Sequence, residues 1–249
     1  MMKRTLAMLL TTALLPAAAF AADKPAHWTY DGATGPQHWS QLEQDFATCK
    51  LGHNQSPIDI RKTSKAKLPP LEFAYQPSPL KILDNGHTIQ VNYAPGSSVA
   101  IDGKRYELLQ FHFHKPSEEK INGRSYPMVA HLVHKNEEGK LAVVAVLFRK
   151  GADNPLVQSL WDALPQEKGQ VQDVAGVSID IGTLLPATQG YYNFAGSLTT
   201  PPCSEEVNWF VLKTPVEMSD AQLKRFTHVY KHNARPTQPL NGRTVQESL

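Results

Sequence analysis

The stretch Gln110-Phe111-His112-Phe113-His114 alternates polar and apolar residues with a period of two. Side chains of a β-strand point alternately to its two faces, so the pattern predicts a strand with both histidines on one face. Their Cα atoms would lie roughly 6.5–7 Å apart, which allows two imidazoles to reach one cation. The stretch therefore predicts a strand and a candidate metal site together.

A third imidazole is available from residues 129–134, which alternate in the same way. The alternation places His131 on one face with Val129 and Val133, and His134 on the other. Three neutral imidazoles suit zinc, and three protein ligands leave a fourth position for water, as in catalytic zinc sites. An isolated His-x-His pair is weak evidence by itself. We interpret His134, His228 and His232 as core or surface histidines.

Strand patterns dominate the rest of the chain. Alternating or continuous apolar runs predict strands over residues 88–93, 109–114, 129–135, 141–148 and 207–213. Two short helices are indicated, one by Asn154 and Pro155 and one by a capping-box pattern from Ser219 to Gln222. The proline-rich residues 68–79 are interpreted as a surface loop. We expect a mainly β, single-domain fold with a large, mostly antiparallel twisted central sheet and short peripheral helices.

The N-terminus has the pattern of a secretory signal. Lys3 and Arg4 precede an apolar run over residues 6–20, and residues 19–21 fit a small-x-small cleavage site. The alternative is a membrane anchor, but the run is shorter than the roughly 20 residues that a spanning helix needs. We predict a signal peptide over residues 1–21 and one domain over residues 22–249.

Charge and cysteine content narrow the possible partners. Loss of Lys3 and Arg4 would reduce the 25 basic residues to 23, equal to the 23 acidic ones. No basic run is present, so nucleic acid and acidic membrane surfaces are poor candidates as partners.

In an exported chain, the cysteines at 49 and 203 indicate a disulfide, with two free thiols as the alternative.

Six segments taken in order give a more specific indication. Together they resemble the α-class carbonic anhydrases, in particular the exported bacterial members, over residues 28–243. The segments are Gln55-Ser56-Pro57-Ile58-Asp59-Ile60, residues 110–114, Ser117-Glu118, His131-Leu132-Val133-His134, residues 197–203 and residues 235–243.

The resemblance implies a reaction and a cofactor. Zinc would be bound by His112 and His114 through Nε2 and by His131 through Nδ1. A zinc-bound hydroxide would convert carbon dioxide reversibly to bicarbonate and a proton. Carbon dioxide and bicarbonate are then the partners, with no nucleic acid and no membrane span in the mature chain. The resemblance also implies a Cys49–Cys203 bridge and a periplasmic location after export across the inner membrane. Monomer and dimer both stay open.

The resemblance assigns further roles by position. Thr199 would donate a hydrogen bond to Glu118 and orient the nucleophile, and His87 would carry protons out of the site. The substrate pocket would be formed by Val133, Val143, Leu198, Thr200, Val207 and Trp209.

One position departs from the family pattern. Family members usually carry a glutamate two residues before the third zinc histidine, where it orients that ligand, and Val129 stands there in this chain. Valine cannot accept a hydrogen bond. We therefore expect an unpaired N–H on His131, unless water or another group reaches it, and faster zinc loss.

Three alternative functions are considered. A related binding protein without activity would usually lack a zinc histidine, whereas all three are present here. A cupin-type metal enzyme fits His112, His114 and Glu118, but its second motif is missing after His131. Ester hydrolysis is compatible with the main hypothesis, since the same nucleophile can attack activated esters.

Overall fold

The structure, a computed structural model, describes residues 27–249, so the predicted signal peptide over residues 1–21 lies outside the described part. Strands dominate this part, as the sequence patterns predicted. They are β1 (Asp59–Ile60), β2 (Ser64–Ala66), β3 (Glu72–Ala74), β4 (Ser78–Asp84), β5 (Ile89–Asn92), β6 (Ser98–Ile101), β7 (Lys104–His114), β8 (Lys120–Ile121), β9 (Arg124–Ser125), β10 (Met128–Lys135), β11 (Leu141–Lys150), β12 (Gln172–Ile179), β13 (Tyr191–Ser197), β14 (Glu205–Leu212), β15 (Val216–Met218) and β16 (Gln246–Ser248).

The helices are short and lie at the periphery. The α-helices are α1 (Trp39–Leu42), α2 (Thr48–Leu51), α3 (Pro155–Asp162) and α4 (Asp220–Val229), and 3-10 turns cover Gly32–Thr34, Gln44–Phe46 and Ile181–Leu184. No helix within residues 27–249 combines the length and apolar character needed to cross a bilayer.

The two longer helices begin where the sequence predicted. Asn154 caps α3, because its side chain accepts a hydrogen bond from the Val157 amide at 3.2 Å, and Pro155 follows at the first helical position. Ser219 and Gln222 form the complete capping box of α4. These local interactions satisfy amide groups that a helix N-terminus leaves unpaired.

One sheet of thirteen strands organises the molecule. Its main order is β12-β4-β5-β7-β10-β11-β14-β13-β16-β2, with β15 paired to β11 and β6 joining β3 to β7. Most neighbours are antiparallel, as predicted, but β11 pairs in parallel with β14 and β15, and β16 with β2. The strands β1, β8 and β9 form a separate small sheet.

The central strands β7, β10 and β11 separate two hydrophobic clusters. Odd and even residues alternate between the sheet faces, which confirms the predicted period of two and the buried character of residues 141–148. The larger cluster includes Phe111, Phe113, Ala130, Leu132, Val144 and Val146. The smaller cluster, on the face that carries the predicted metal ligands, includes Val129, Val133, Val143, Ala145 and Leu147.

The interpretation of residues 68–79 as a surface loop was wrong in part. Glu72–Ala74 pairs with β6, and β4 already begins at Ser78. Proline is tolerated at strand edges, where its missing N–H leaves no ladder hydrogen bond unmade. The proline content of this segment therefore did not exclude strands.

The predicted disulfide is confirmed between Cys49, on α2, and Cys203, on the loop before β14. The bridge packs against buried Trp39. Residues 198–204 form a closed loop, because Leu198 N donates to Ser204 O and Cys203 N donates to Thr200 O. The disulfide thus connects the N-terminal segment to the loop that contains Thr199.

Removal of the disulfide should lower the stability of the fold. The bridge joins residues 154 positions apart. On the chain-entropy model a loop of this length contributes about 5 kcal/mol, mainly by restricting the unfolded chain. We expect Cys49→Ala/Cys203→Ala to lose several kcal/mol in urea denaturation relative to the oxidised protein. Equal stability of the two proteins, or two free thiols in denatured, unreduced wild type, would contradict this expectation.

Candidate metal centre

Three imidazoles converge on the face of the sheet that carries the smaller hydrophobic cluster. His112 and His114 come from β7, and His131 comes from β10, whose antiparallel register places it directly opposite His112. One nitrogen from each ring lies within 4.8 Å of the others. The structure therefore brings together the three histidines that strand alternation selected.

A protein acceptor orients each of the three rings. His112 Nδ1 donates to Gln110 Oε1 at 2.8 Å, His114 Nδ1 to Asn233 O at 2.7 Å, and His131 Nε2 to Glu119 Oε1 at 3.0 Å. A carbonyl or carboxylate oxygen can only accept, so each contact places the ring proton on the nitrogen named. In the neutral form of each ring, the unprotonated nitrogens are then His112 Nε2, His114 Nε2 and His131 Nδ1.

Burial controls the charge of the first two rings. Desolvation, together with the neighbouring His131, lowers the pKa of His112 to about 3. Burial, together with the neighbouring His131 and His112, lowers the pKa of His114 well below its usual value. Burial also opposes the charged form of His131, but the charges of Glu119 and Glu118 and the Glu119 hydrogen bond raise its pKa. His112 and His114 are therefore neutral at pH 7, as metal ligation requires.

The expectation that Val129 leaves His131 unpaired was wrong. The Glu119 carboxylate reaches His131 Nε2 with both oxygens, at 3.0 and 3.3 Å. Val129 is fully buried in the smaller hydrophobic cluster, directly opposite His114. The physical reason is that the acceptor comes from a different segment of the chain, so the valine creates no unsatisfied donor.

Glu118 lies beside the ring cluster in a dry environment. Its Oε1 accepts from the Arg235 amide at 2.7 Å, and its Oε2 lies 3.5 Å from His114 Nε2. Burial raises the pKa of Glu118 to about 7, whereas His131, a Thr199 side-chain hydrogen bond and the Arg235 amide act in the opposite direction. Thr199 is itself buried. Thr199 and Glu118 are thus close to each other in the buried part of the site.

His87 lines a small cavity that also contacts two of the rings. Residues that line this cavity of about 130 Å³ include His112, His114 and Thr200. The His87 imidazole stacks on Trp28 with ring centroids 3.6 Å apart and an interplanar angle of 6°. Burial, with the nearby His27 and Lys168, lowers its pKa to about 4. The observed ring is therefore neutral and held on an aromatic surface.

Apolar side chains lie next to the three imidazole rings, on the side of His131. The Trp209 ring meets the His131 ring edge-on at 4.9 Å. Val133 pairs with Val143, and Val143 pairs with Trp209 in the next strand. All predicted pocket residues except Thr200 belong to the smaller hydrophobic cluster or pack against it: Val133, Val143, Leu198, Val207 and Trp209.

Besides Glu119, sequence reasoning missed three residues that support the site: Gln110, Asn233 and Trp28. Gln110 could have been found, because alternation places it on the face of His112 and His114. Asn233 orients His114 through its carbonyl, and its side-chain amide donates to His87 O and Phe113 O. Neither Asn233 nor Trp28 carries a local signal, since only the folded chain brings them to the ring cluster.

The donor set fits zinc. Three imidazole nitrogens converge from one side, and His114 Nε2 is buried with no hydrogen-bond partner among residues 27–249. An unpaired buried polar atom is costly unless it coordinates a metal or binds water. A mainly β fold with this arrangement defines a candidate catalytic metal centre of the three-histidine type.

Comparisons with known proteins identify the family. Residues 34–249 match the family model of the eukaryotic-type carbonic anhydrases. A carbonic anhydrase of Pectobacterium carotovorum is 45% identical over 239 residues, covering 95% of this chain and 98% of its own. The α-carbonic anhydrase of Thermovibrio ammonificans, solved with the inhibitor sulfanilamide, is 46% identical, with a TM-score of 0.86 over 89% of this chain and 99% of that one. The Photobacterium profundum α-carbonic anhydrase is 45% identical, with a TM-score of 0.84 over 89% of this chain and the whole of that one.

This chain belongs to the α-carbonic anhydrase family. Its enzyme class is therefore that of carbonic anhydrase, a lyase that hydrates carbon dioxide. The cupin alternative is wrong, because both the fold and the family match are those of carbonic anhydrases.

Metal analysis checks the ligand set. We expect about one zinc per purified wild-type chain by mass spectrometry. His114→Ala should lower the zinc content strongly, because it removes one of three convergent nitrogens. The exposed His228 on α4 offers a matched control, and His228→Ala should keep its zinc. A full zinc content in the His114→Ala protein would refute the assignment.

Proposed function

We propose that this chain catalyses the reversible hydration of carbon dioxide at a zinc ion held by His112 Nε2, His114 Nε2 and His131 Nδ1. The observation that carries the proposal is the orientation of the three rings. Each uses its other nitrogen to donate to Gln110, Asn233 or Glu119 and so presents the unprotonated nitrogen to one point. Retention of all three ligands also favours an enzyme over a binding protein without activity.

Zinc, when bound, would supply a water whose pKa is lowered to about 7, a value known from carbonic anhydrases themselves. The chain supplies the surroundings. Val143 and Trp209 lie on the face of His131 and are almost fully buried. Carbon dioxide is apolar, so a dry wall beside the nucleophile both accommodates the substrate and excludes competing water.

Thr199 and Glu118 would orient the nucleophile. A hydroxyl has one donor hydrogen and two acceptor positions. With its hydrogen donated to the Glu118 carboxylate, Thr199 Oγ1 can only accept from the reacting water. The Arg235 amide holds Glu118 in place at 2.7 Å. This arrangement selects one orientation of the attacking lone pair.

His87 would transfer the released proton to solvent through its imidazole nitrogens. The residue lines the cavity that contains His112 and His114. Its backbone is held by an Asn85 turn, because His87 N donates to Asn85 Oδ1 at 3.0 Å. The ring can therefore change its side-chain torsion without movement of the main chain. Away from Trp28 it would lose the burial that lowers its pKa.

We also propose that the protein acts after export, in the periplasm. The Cys49–Cys203 disulfide supports this location, because such bridges persist in oxidising compartments. The signal peptide over residues 1–21, the domain over residues 22–249 and the oligomeric state, monomer or dimer, stay predictions. Attack on activated esters by the same nucleophile is compatible with this function.

Stopped-flow hydration of carbon dioxide tests the proposed function. The zinc-loaded wild type should be active, and His114→Ala should not. Thr199→Val keeps the side-chain volume but removes the hydroxyl, so we expect kcat/KM to fall on the order of 100-fold through misorientation. Its zinc content should stay unchanged, which separates orientation from metal loss. An inactive wild type with one zinc per chain would disprove the function.

The stack on Trp28 should limit proton transfer by His87. At pH 7 a group with a pKa of about 4 is a poor proton acceptor, and proton transfer is fastest when the pKa lies near the working pH. Trp28→Ala exposes the ring and raises its pKa, so the maximal rate in weak buffer should rise several-fold. In His87→Ala the rate should fall, and added imidazole should restore part of it.

Isotope exchange at equilibrium provides the control for both variants, because it reports the chemical step without proton export. This rate should barely change in either protein. If His87→Ala leaves the maximal rate unchanged at low buffer concentration, His87 has no part in proton transfer.

A further inference from the structure

Glu119 is a buried acid next to the metal centre. Its side chain is completely excluded from solvent, and it follows Glu118 directly in the chain. Within residues 27–249, every hydrogen bond of its carboxylate is made to His131 Nε2. Burial of a carboxylate costs several kcal/mol unless the charge is compensated. The hydrogen bonds with His131 are the compensation that the structure provides for this carboxylate.

The two consecutive acids contact opposite nitrogens of one imidazole. Glu119 Oε1 lies 3.0 Å from His131 Nε2, and Glu118 Oε2 lies 3.8 Å from His131 Nδ1. Glu118 is already held by the Arg235 amide, so only Glu119 is directed at the ring proton. In the neutral ring the Nε2 contact leaves Nδ1 unprotonated, and Nδ1 lies near the ligand nitrogens of His112 and His114.

The backbone around Glu119 is fixed by hydrogen bonds of its own segment. Ser117 Oγ donates to Glu119 O at 2.7 Å and accepts from the Tyr126 amide at 2.8 Å. The next residue, Lys120, donates through its amide to Ile58 O, and its strand pairs with β1. Residues 117–121 therefore form a rigid support rather than a flexible loop.

The adjacent strand position offers no competing acceptor. Val129 shares the face of His131 but lies in the smaller hydrophobic cluster and is fully buried. A second carboxylate placed there would join Glu118 and Glu119 beside one imidazole, with three buried acids in contact range. An apolar residue at 129 therefore suits a carboxylate at 119, because it adds no third acid beside His131.

We propose that Glu119 is the positioning residue for the third ligand: it holds His131 with the proton on Nε2 and so presents Nδ1 to the metal. This proposal rests on the zinc site proposed above. Glu119 does not contact the reacting atoms and acts through His131. The pair Glu119 and Val129 replaces the glutamate that family members usually carry at the valine position.

Zinc release to a chelator gives the first test. Loss of a carboxylate partner to a metal-bound histidine weakens affinity roughly 10–100-fold, a range measured in carbonic anhydrases themselves. We expect Glu119→Ala to release zinc faster by a factor in this range. Glu119→Gln keeps an acceptor oxygen and should show a smaller effect. Val129→Ala, a cavity on the same face without a lost hydrogen bond, is the matched control and should keep a release rate close to that of the wild type.

The ring tautomer gives a second test that needs no metal. In zinc-free protein labelled with 15N-histidine, at a pH above the raised pKa of His131, the neutral ring should show a protonated, slowly exchanging Nε2 and an unprotonated Nδ1, assigned by comparison with His131→Gln. Glu119→Gln should keep this signature, and Glu119→Ala should lose it. A proton on Nδ1 of the neutral ring at that pH in the wild type would overturn the proposal, even if the alanine variant fails to fold.

The two readouts separate this proposal from the proposed function. A wild type that binds no zinc would disprove the metal centre, whereas the tautomer of the zinc-free protein still reports on Glu119. An unchanged zinc release rate in folded Glu119→Ala would overturn the positioning role and leave the zinc site intact.

A double variant, Glu119→Val/Val129→Glu, moves the accepting carboxylate to β10. Recovery of slow release relative to Glu119→Val would support a carboxylate contact as the relevant interaction.

Discussion

The antiparallel pairing of β7 with β10 is the constraint on which the site depends. Its register puts His131 directly opposite His112, and alternation along β7 adds His114 to the same face. A slip of one residue would turn one strand's histidines into the larger hydrophobic cluster and separate the ligands. The register is protected by that cluster, because Phe111 and Leu132 are fully buried against each other's strands. Packing on one face of the sheet thus determines the geometry of the other face.

Around this pairing, a continuous polar network joins the disulfide to the buried carboxylate of Glu118. The Arg235 guanidinium donates to Cys49 O, Ser56 O and Gln55 Oε1, while its own amide donates to Glu118. Burial lowers the pKa of Arg235 to about 10, so the group stays charged at neutral pH. A buried guanidinium is tolerable only with its donors satisfied. The positions of Cys49 and Glu118 are therefore coupled through one residue.

The ring orientations show how a site can keep its geometry while its supporting residues change. Each imidazole needs one acceptor, and the three acceptors here are a side-chain amide, a main-chain carbonyl and a carboxylate. The tautomer of a ring depends on where the accepting oxygen lies. It does not depend on which segment of the chain provides that oxygen. Glu119 delivers it from residues 117–121, which are held by the small sheet, and this permits an apolar residue at 129.

The sequence by itself determined the central elements and the three histidines that converge. Periodicity located the central strands, capping patterns located α3 and α4, and alternation selected His112, His114 and His131, because each of these signals is local. The sequence failed for strands β3 and β4, where proline content suggested a loop. It also missed Asn233, Trp28 and the partner of His131, since these contacts join segments distant in the chain. Only the tertiary structure decided that Glu119 is buried beside His131 rather than solvated, because burial depends on which segments the fold packs over a residue.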